Sequence, residues 1–508
     1  MASATRAEGP SSGGTAREAT SGPDRAWVTA AVGCVSSPPV PASTPSLPTP
    51  TATSLSDGTG QPQSVPFVRV VVLNWNGADH LGACLDALAA LDWPSDRLEL
   101  VVVDNASSDG SDRIAAERDG IRLVRNDHNG GFVANNLALR DLDGVDFVGL
   151  VNADSFVEPG WLRALVDGID GDDRLGAVSA RMVFADRFVE VEITSPTFVP
   201  AGADHRDLGV RVSGVRVDGV DRWRDAQLAE GGWGIEHRPD GSTFQWTAAR
   251  ATLRVPVGDG ATLPERVEVA LSAESPKRVA VRSGASAAEL VVGSERRWHR
   301  LPVSGPAVDI VNNVGSVLIE GGYGADRGYL EPDEGQYDAP ADVFAWCGGS
   351  VLLRPAYLAD VGLFDERFFL YYEDTDLSWR GRSRGWRYRY VPGAVARHIH
   401  AASTGEGSPV FQHYVERNRL LMLAKNAPAR MAAHAVWRYL LTTLSYTRRD
   451  LVAPVLGRRR PRPTTVVRRL RSLADFARLL PAILAERRRV RRRATVGDAE
   501  LLAWAVPR

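Results

Sequence analysis

Two groups of acidic residues stand where a chemical site would need them, and the first ends a strand. Asp154 closes the triplet Asn152-Ala153-Asp154, which follows the apolar run FVGLV. A carboxylate at the tip of a buried strand can bind a hard divalent cation, which can in turn hold a diphosphate. An Asp here also suits the cap of a helix that starts near Pro159, so metal binding and capping both stay open.

The second acidic group combines carboxylates with aromatic neighbours. Glu373, Asp374 and Asp376 follow directly on Tyr371 and Tyr372. Like charges crowded among apolar rings raise carboxylate pKa values and favour a general base. A solvated acidic turn paired with the nearby arginines is the alternative, but the aromatic side chains around it are hard to place on a solvated face.

Two histidines lie just past the Pro-containing segment YRYVPGAVAR. His398 and His400 are candidates for a further metal ligand, because imidazole binds divalent metals beside carboxylates. A single histidine is more often an ordinary surface or core residue, so each signal is weak on its own.

The elements that must position these groups read as an α/β domain. Apolar, strand-like runs at 68–77, 98–111 and 147–154 end in polar residues, and helical patterns separate them. This alternation is typical of a doubly wound sheet, in which ligands bind at the carboxyl ends of the strands. We therefore expect the polar strand tips to meet at one edge.

The residue composition and the pattern of apolar residues change several times along the chain. Residues 1–64 are rich in Ser, Thr, Pro, Gly and Ala, which predicts a disordered tail. Residues 65–187 and 329–427 form the two halves of the α/β domain. Between them, 188–328 alternates apolar and polar residues and predicts an inserted β-sandwich. Residues 428–508 are predicted to be a helical, arginine-rich C-terminal region.

Composition sets the broad class of protein. A chain of 508 residues predicts more than one folded unit, and a net charge of -2 indicates no polyanionic partner, so no nucleic acid is expected. The three cysteines argue against a disulfide scaffold and fit a reducing compartment. No run approaches the roughly 18 apolar residues of a membrane span, so we expect a cytoplasmic protein.

Taken in order, the motifs resemble those of the family 2 glycosyltransferases of GT-A type, in particular the branch with rhamnosyl- and galactofuranosyl-transferases. The resemblance covers about residues 67–185 and 341–427. The matching segments are VVVLNWNG, VVVDNASSDGS, NGGFVANN, LVNADSFVEPGWL, CGGSVLLRP, VGLFDERFFLYYEDTDLSWR, YVPGAVARHIHAAS and VERNRLLMLAKN. It implies a Rossmann-like domain that transfers a sugar from a nucleotide diphosphate.

The resemblance also implies a metal site and a base. Asp154 is implied as ligand of a divalent metal, Mg²⁺ or Mn²⁺. Because Asn152 stands where the family's triplet begins with an acid, His398 becomes a necessary second ligand. Asp374, with Glu373 beside it, matches the family's catalytic base.

The remaining site residues are carried over in the same way. Asp104 is implied to recognise the donor base. The residues implied to hold the rest of the donor are Asn74, Asn76, Asn129, Gly130, Asn136 and Asn152, and those implied to face the acceptor are Trp346, Gly348, Gly349 and Asp376.

The implied function is inverting transfer of a sugar, such as rhamnose or galactofuranose, to a glycan or polyprenyl-linked acceptor in cell-envelope polysaccharide synthesis. One alternative is a catalytically weak protein that binds glycans through tryptophans of the insert; these could equally fill a sandwich core. A nucleotidyltransferase would need a Gly- and Lys-rich phosphate loop after the first strand, and LNWNGADH has none.

The basic C-terminal tail predicts a membrane contact. Arginines crowd residues 458–493 around an apolar stripe of Leu470, Leu473, Phe476, Leu479 and Leu480. Such a stripe can lie on an anionic membrane, here the inner face of the plasma membrane. Nucleic-acid binding is the other interpretation of this charge, but no recognisable nucleic-acid module accompanies it.

Overall fold

A computed structural model describes residues 65–202, 204–238, 240–258, 262–399 and 408–507. The tail 1–64 and His400 lie outside the described residues, so the predictions made for them are not addressed further.

The first part of the α/β domain alternates strands and helices. Its strands are β1 (Val68–Asn74), β2 (Leu98–Asp104), β3 (Ile121–Arg125), β4 (Phe147–Asn152), β5 (Ser155–Val157) and β6 (Leu175–Phe184). Its helices are α1 (Leu81–Ala89), α2 (Ser111–Ala116), α3 (Asn136–Leu139) and α4 (Trp161–Ile169).

An all-β unit follows. Its strands are β7 (Phe188–Thr194), β8 (Arg211–Val217), β9 (Val220–Asp221), β10 (Gln227–Gly232), β11 (Glu236–His237), β12 (Thr243–Pro256), β13 (Val267–Ser272), β14 (Lys277–Ser283), β15 (Ser286–Val292) and β16 (Arg297–Leu301).

The chain then returns to the α/β domain and ends in helices. The strands are β17 (Val311–Asn313), β18 (Ser316–Ile319), β19 (Tyr323–Asp326), β20 (Ala341–Asp342), β21 (Ser350–Leu353), β22 (Arg387–His398) and β23 (Ala505–Val506). The helices are α5 (Pro355–Val361), α6 (Glu373–Ser383), α7 (Pro409–Asn426), α8 (Ala429–Thr447), α9 (Ala453–Leu456), α10 (Thr464–Arg493) and α11 (Asp498–Leu502); a π-helical turn (Arg448–Val452) joins α8 to α9.

The central sheet has the order β20-β22-β6-β21-β4-β1-β2-β3. The strands β3, β2, β1 and β4 are parallel to one another, whereas β21 runs antiparallel between β4 and β6. In register, Asn74 pairs with Asp104 and Leu73 with Asn152. The polar tips of β1, β2 and β4 therefore share one edge of the sheet, as the sequence predicts.

Both faces of this sheet are buried, which explains its unbroken β-branched strands. Val70 and Val72 of β1 pack on one side with Trp161 of α4. Val71 faces the other side, in a core that includes Tyr357 of α5. Helices on both faces make the domain doubly wound, and the predicted α/β fold class is confirmed.

The inserted all-β unit has a core of its own, so the predicted β-rich insert is confirmed. Along β14, buried side chains such as Val279 and Val281 alternate with exposed ones, which is the pattern of a sheet buried on one face. The strands of the unit end at Leu301; the next strand, β17, already pairs with β6 of the central sheet. The boundaries 188–328 stay a prediction.

The tryptophans of the insert mostly have partners within the protein. Trp246 is buried. An arginine guanidinium covers a face of Trp246 and of Trp233, and two of them, from Arg216 and Arg296, cover Trp298. Rings covered by cations in this way fit a structural role better than stacking on sugars.

The apolar stripe of the C-terminal tail does not face outward as predicted. Phe476 is buried against α7 and α8, and Leu473, Leu479 and Leu480 pack on the same core. Only Leu470 of the stripe is exposed. Most of the stripe is therefore internal, because it is the face by which α10 packs on α7. In the part of the chain that the structure describes, no helix is both long and apolar enough to cross a membrane.

Candidate active site

Hydrogen bonds join the loops after β1 and β2 at the carboxyl edge of the sheet. The side chain of Asn74 donates to the Asp104 carboxylate (2.9 Å) and to the hydroxyls of Ser107 and Ser111. Asn74 and Asp104 are both buried. The two residues predicted to recognise the nucleoside thus lie side by side, and their hydrogen bonds join the loops after β1 and β2.

Asn76 lies two residues beyond the end of β1 and is exposed. Its backbone adopts the left-handed region (φ 50°), which Asn tolerates better than most residues. Its carboxamide oxygen accepts from the backbone N–H of Ser108 (2.8 Å), and its own N–H donates to Ser107. The rim of the edge is therefore fixed by the same pair of loops.

A third loop joins through Asn105. Its carboxamide donates to Asn129 (2.9 Å) and to the carbonyl of Gly131, and it accepts from the N–H of Gly130 (2.9 Å). Asn129 and Gly130, both predicted to border the donor, are thereby held against the β2 loop. Asn136 is placed differently: both ends of its carboxamide bond to the backbone of Phe364, so it links α3 to the segment before α6.

This third loop also lies close to two later segments, the one that leads into α6 and the Gly348–Gly349 loop. The N–H of Phe132 donates to the carbonyl of Phe369 (2.7 Å). A Cβ on Gly131 would lie 2.1 Å from that same carbonyl oxygen, and a Cβ on Gly348 would lie 2.5 Å from the Phe132 ring. Both positions require glycine, because the backbone and the ring occupy the space of any side chain.

Asp374 is the second residue of helix α6 and lies beside the Gly348–Gly349 loop. One carboxylate oxygen accepts from the N–H of Gly348 (3.3 Å), and the other accepts from the N–H of Thr375 (2.6 Å) and its hydroxyl (3.1 Å). Burial raises the pKa of Asp374 to about 6, and the charge of Asp326 adds to the rise. A base with this pKa is ionised at neutral pH but still holds a proton well.

Glu373 is held differently from its neighbour. It is buried, and its Oε2 has no hydrogen-bond partner among the described residues. Burial, and next the charge of Asp374, raise the pKa of Glu373 well above its ordinary value. The two carboxyl groups are therefore held differently: Asp374 accepts hydrogen bonds at both oxygens, whereas burial disfavours the ionised form of Glu373.

Asp154 and His398 meet on the other side of the Gly348–Gly349 loop, where the N–H of Asn152 donates to the Gly349 carbonyl (3.1 Å). The Nε2 of His398 lies 3.2 Å from an Asp154 oxygen and 3.5 Å from the Asn152 carboxamide nitrogen. Strand β22 pairs with β5 here, with His398 opposite Ser155. The structure thus brings together the two predicted metal ligands.

The donor chemistry of this pair fits a divalent cation. His398 Nδ1 lies 3.1 Å from the carboxamide oxygen of Asn312. In the tautomer that donates from Nδ1 to this oxygen, Nε2 presents a lone pair on the side of Asp154, where a cation would be bound. Adjacent corners of an octahedron of about 2.1 Å radius are about 3.0 Å apart, close to the observed separation.

The protein ligand set is small. Within the described ranges, no group of three or more His, Cys, Asp and Glu side chains is placed to hold a metal. This agrees with the substitution of Asn152 for an acid. A cation here would need oxygen atoms from the donor diphosphate or from water to complete its coordination.

The four residues predicted to face the acceptor, Trp346, Gly348, Gly349 and Asp376, are all buried in this structure. Asp376 is fully buried and bonds to Arg380 (2.9 Å), Lys425 (2.8 Å) and Asn426 (2.7 Å). Trp346 is also fully buried. Asp376 thereby anchors α6 to α7, and contact with an acceptor would require these ion pairs to break.

Sequence reasoning assigned no role to three residues that support the site. Asn312 orients His398, Asp326 lies close enough to Asp374 to raise its pKa, and Asn418 lies below the segment that leads into α6. Asn312 stands in the Gly- and Asn-rich stretch 308–332, and Asn418 in the motif VERNRLLMLAKN. The signal available in the sequence was the presence of asparagines within these two segments.

The backbone before Asp374 is strained. Phe369, Tyr371 and Tyr372 all have φ between 65° and 68°, which costs a bulky residue on the order of 1–3 kcal/mol. The fully buried carboxamide of Asn418 donates to the carbonyls of Phe368 (2.7 Å), Leu370 (2.8 Å) and Tyr371 (2.8 Å). One side chain of α7 therefore holds the turn that aims the base.

Comparison with known proteins finds one family. Residues 69–209 match the model "Glycosyl transferase family 2". The N-acetylglucosaminyl-diphospho-decaprenol L-rhamnosyltransferase of Mycobacterium tuberculosis is 33% identical over 143 residues, 25% of this chain and 46% of that protein. Glycosyltransferase AglE of Haloferax volcanii is 28% identical over 113 residues, 21% of this chain and 37% of that protein. The chain thus spans less than half the length of these curated relatives.

Solved structures also align with the chain. A crystal structure of GalNAc-T7 with UDP, GalNAc and Mn²⁺ aligns at 12% identity with a TM-score of 0.41, over 76% of this chain and 52% of that one. A mannosyltransferase of Pyrobaculum calidifontis in complex with GDP-Man and Mn²⁺ aligns at 15% identity with a TM-score of 0.34, over 88% of this chain and 81% of that one.

The Asn418 contacts generate a prediction. Asn418→Ala should lower kcat by about 10²-fold, because a base displaced by about 1 Å loses that much, while the Kd for the donor stays within about threefold. Steady-state kinetics and donor titration measure the two. The control is Thr443→Val, which removes another buried hydrogen-bonding group from the helices. If Thr443→Val lowers kcat as much as Asn418→Ala does, the effect is general loss of stability and not positioning.

Proposed function

Because residues 69–209 match the model of glycosyl transferase family 2, we propose that the protein is an inverting, metal-dependent glycosyltransferase with Asp374 as its base. The observation that carries the proposal is Asp374 itself. It is partly buried beside the Gly348–Gly349 loop, and its pKa is raised to about 6. The proposed reaction moves a sugar from a nucleotide diphosphate to an acceptor hydroxyl.

The base acts on the acceptor. A sugar hydroxyl is a weak nucleophile until its proton is taken, and an ionised Asp374 can accept that proton as the hydroxyl attacks the anomeric carbon. Hydrogen bonds from Gly348 and Thr375 fix both carboxylate oxygens, so the group is oriented before the acceptor arrives. The proposal keeps Gly348 and Gly349 as the acceptor side of the site.

The neighbouring Glu373 supports inversion. A retaining double displacement needs a second carboxylate that attacks the sugar, and a carboxyl group is a nucleophile only when ionised. Burial, and next the charge of Asp374, raise the pKa of Glu373 and disfavour its ionised form. A single displacement, with one base and inversion at the anomeric carbon, is the mechanism that this pair can perform.

Asp154 and His398 are the residues that would hold Mg²⁺ or Mn²⁺, with Asn152 beside them. Such an ion, when bound, supplies positive charge that offsets the charge developing on the leaving nucleotide diphosphate. Asn312, whose carboxamide oxygen lies 3.1 Å from Nδ1 of His398, would orient the ring. The chain itself thus contributes one carboxylate, one oriented imidazole and a neutral amide.

The donor is proposed to lie across the carboxyl edge of the sheet. Asp104 and Asn74 would face the base and nucleoside, and Asn76 lies at the rim. Asn129 and Gly130 would border the sugar and diphosphate. The hydrogen bonds that join these three loops support the assignment, because a preorganised edge costs less ordering on binding.

The sugar and acceptor are proposed from similarity. One relative is named as an L-rhamnosyltransferase that acts on a decaprenol-linked diphosphate sugar. On that basis the proposed donor sugar is rhamnose, with galactofuranose the other candidate, and the acceptor is a glycan or polyprenyl-linked sugar in cell-envelope polysaccharide synthesis. A lipid-linked acceptor would place the protein at the cytoplasmic face of the plasma membrane.

The central test removes the base. Asp374→Asn keeps the size of the side chain but removes its charge, so transfer should fall by about 10³-fold or more, within the range for loss of a general base. A panel of nucleotide sugars with lipid-linked acceptors measures transfer, and calorimetry should give a nearly unchanged Kd for the donor. Glu366→Gln, an exposed acid of the same segment, is the control. Near-normal turnover in Asp374→Asn would refute the base assignment.

The pH dependence follows from the same pKa. Asp374 must be ionised to act, so kcat/KM should be level above about pH 6 and fall about tenfold per pH unit below it. Asp326→Asn removes a charge that raises this pKa, so the acid limb should move to lower pH. Rate profiles of both proteins decide; an acid limb that stays in place in Asp326→Asn contradicts the predicted electrostatics.

The metal site is tested by binding as well as by rate. Asp154→Asn and His398→Ala should each weaken Mn²⁺ binding by about tenfold or more in the presence of nucleoside diphosphate, measured by electron paramagnetic resonance. His413 pairs with Asp475 at 3.3 Å in the C-terminal helices, so His413→Ala is a matched control. Unchanged Mn²⁺ binding in both site variants would exclude this pair as the metal site.

A further inference from the structure

The C-terminal helices form a hairpin whose tip projects from the core. Helix α8 continues through the π-helical turn into α9, and the chain then reverses into α10. The last buried residue on the way out is Thr443, and the first on the way back is Val466. Residues 444–465, the hairpin tip, contain no buried residue.

The parts of α8 and α10 that carry the tip are joined to α7 by hydrogen bonds and ion pairs. Glu416 of α7 accepts from Tyr439 of α8 (3.0 Å) and from Arg468 and Arg469 of α10 (both 2.6 Å). Arg469 also donates to the Thr443 hydroxyl (3.0 Å). Because this partly buried network joins the three helices, the tip is presented by a rigid support.

Exposed apolar surface is concentrated on this hairpin. Among the described residues, nine of the sixteen exposed large apolar side chains lie between 429 and 493, in the hairpin. Leu456 at the tip is 80% exposed, and Val452 and Val455 are exposed beside it. Trp437, Leu441 and Leu444 are exposed at spacings of four and three, so they share one face of α8 that runs toward the tip. The contacts of α8 and α10 with the rest of the protein therefore leave these side chains exposed.

The charge beside these side chains has one sign. Residues 444–465 contain six arginines and a single acid, Asp450, which already pairs with Arg449 at 2.6 Å. The run Arg458, Arg459 and Arg460 directly follows Leu456 and Gly457, and all three are exposed. Apolar side chains flanked by arginines complement a bilayer whose headgroups are anionic.

We propose that the hairpin tip docks on an anionic lipid bilayer, with Val455 and Leu456 entering the headgroup boundary and the flanking arginines on the lipid phosphates. A nucleic acid would satisfy the arginines but would give Leu456 and Val455 no apolar surface on which to be buried. The proposal names the surface that would keep the enzyme at a lipid-linked acceptor; to that extent it rests on the proposed function.

Co-sedimentation of the full chain with vesicles of phosphatidylcholine, with and without phosphatidylglycerol, tests the proposal. The protein should pellet with anionic vesicles, less so at high salt, and hardly at all with neutral ones. Leu456→Glu should weaken binding by about tenfold or more, since a buried leucine contributes at least that much. Changing Arg458, Arg459 and Arg460 together to Gln should weaken it about a hundredfold, since each basic residue contributes about 1 kcal/mol.

Matched controls separate the tip from general surface effects. Val291 is 71% exposed on the insert, so Val291→Glu adds the same charge elsewhere and should bind vesicles like the unchanged protein. Because all these positions are exposed, melting temperatures should not change. Asp374→Asn should also pellet normally, so failure of the catalytic proposal and failure of docking are distinguishable.

Three outcomes would overturn the proposal. The first is a full chain that pellets with neither vesicle, or tip variants that pellet like the unchanged protein. The second is duplex DNA or RNA binding that Arg458→Gln, Arg459→Gln and Arg460→Gln abolish while vesicle binding persists, which makes the tip a nucleic-acid surface. The third is a dimer in light scattering that Leu456→Glu dissociates without any vesicle binding, which makes it a contact between copies.

Discussion

The contact between the Gly131–Phe132 backbone and the carbonyl of Phe369 is the constraint on which the site depends. It joins the loop from the first half of the α/β domain to the segment that carries the base, although the β-rich insert separates them in sequence. At the same point Phe132 fills the space above Gly348, which itself donates to Asp374. The segments proposed to hold the donor, the acceptor and the base are therefore joined through one small patch of backbone.

That patch is stabilised from below by buried polar groups, and not by apolar packing alone. Asn418 offsets the strain of the left-handed turn, and Arg417 donates to the carbonyls of Arg367 and Phe368. Asp376, Lys425 and Arg380 form a buried ion cluster one turn further along α6. Removing one member of such a cluster leaves an unpaired buried charge, so α6 has little freedom to shift relative to α7. A helix fixed in this way keeps its first residue, Glu373, buried, and burial raises the pKa of its carboxyl group.

Much of this arrangement could be read from the sequence, and the parts that could not have a physical reason. The strands whose tips carry Asn74, Asp104 and Asp154 were predictable because buried parallel strands are unbroken apolar runs. The meeting of Asp154 with His398 followed from the family resemblance. What could not be predicted is which polar residues face inward: Asp376 reads as one more acid of a cluster, yet ion pairs from α7 bury it completely. The stripe on α10 likewise gave the right helix but the wrong environment, since periodicity indicates an apolar face without saying what covers it.

The position of the insert explains why a residue so far along the chain supports the metal site. The sandwich leaves the central sheet after β6 and returns at β17, which pairs with β6 and so re-enters next to its point of departure. Asn312, within β17, is thereby placed beside His398 of β22, which also pairs with β6. An insert whose two ends lie on one strand can grow without displacing the edge of the sheet proposed to bind the donor. The strand that closes the insert also carries Asn312, whose carboxamide oxygen lies 3.1 Å from Nδ1 of His398.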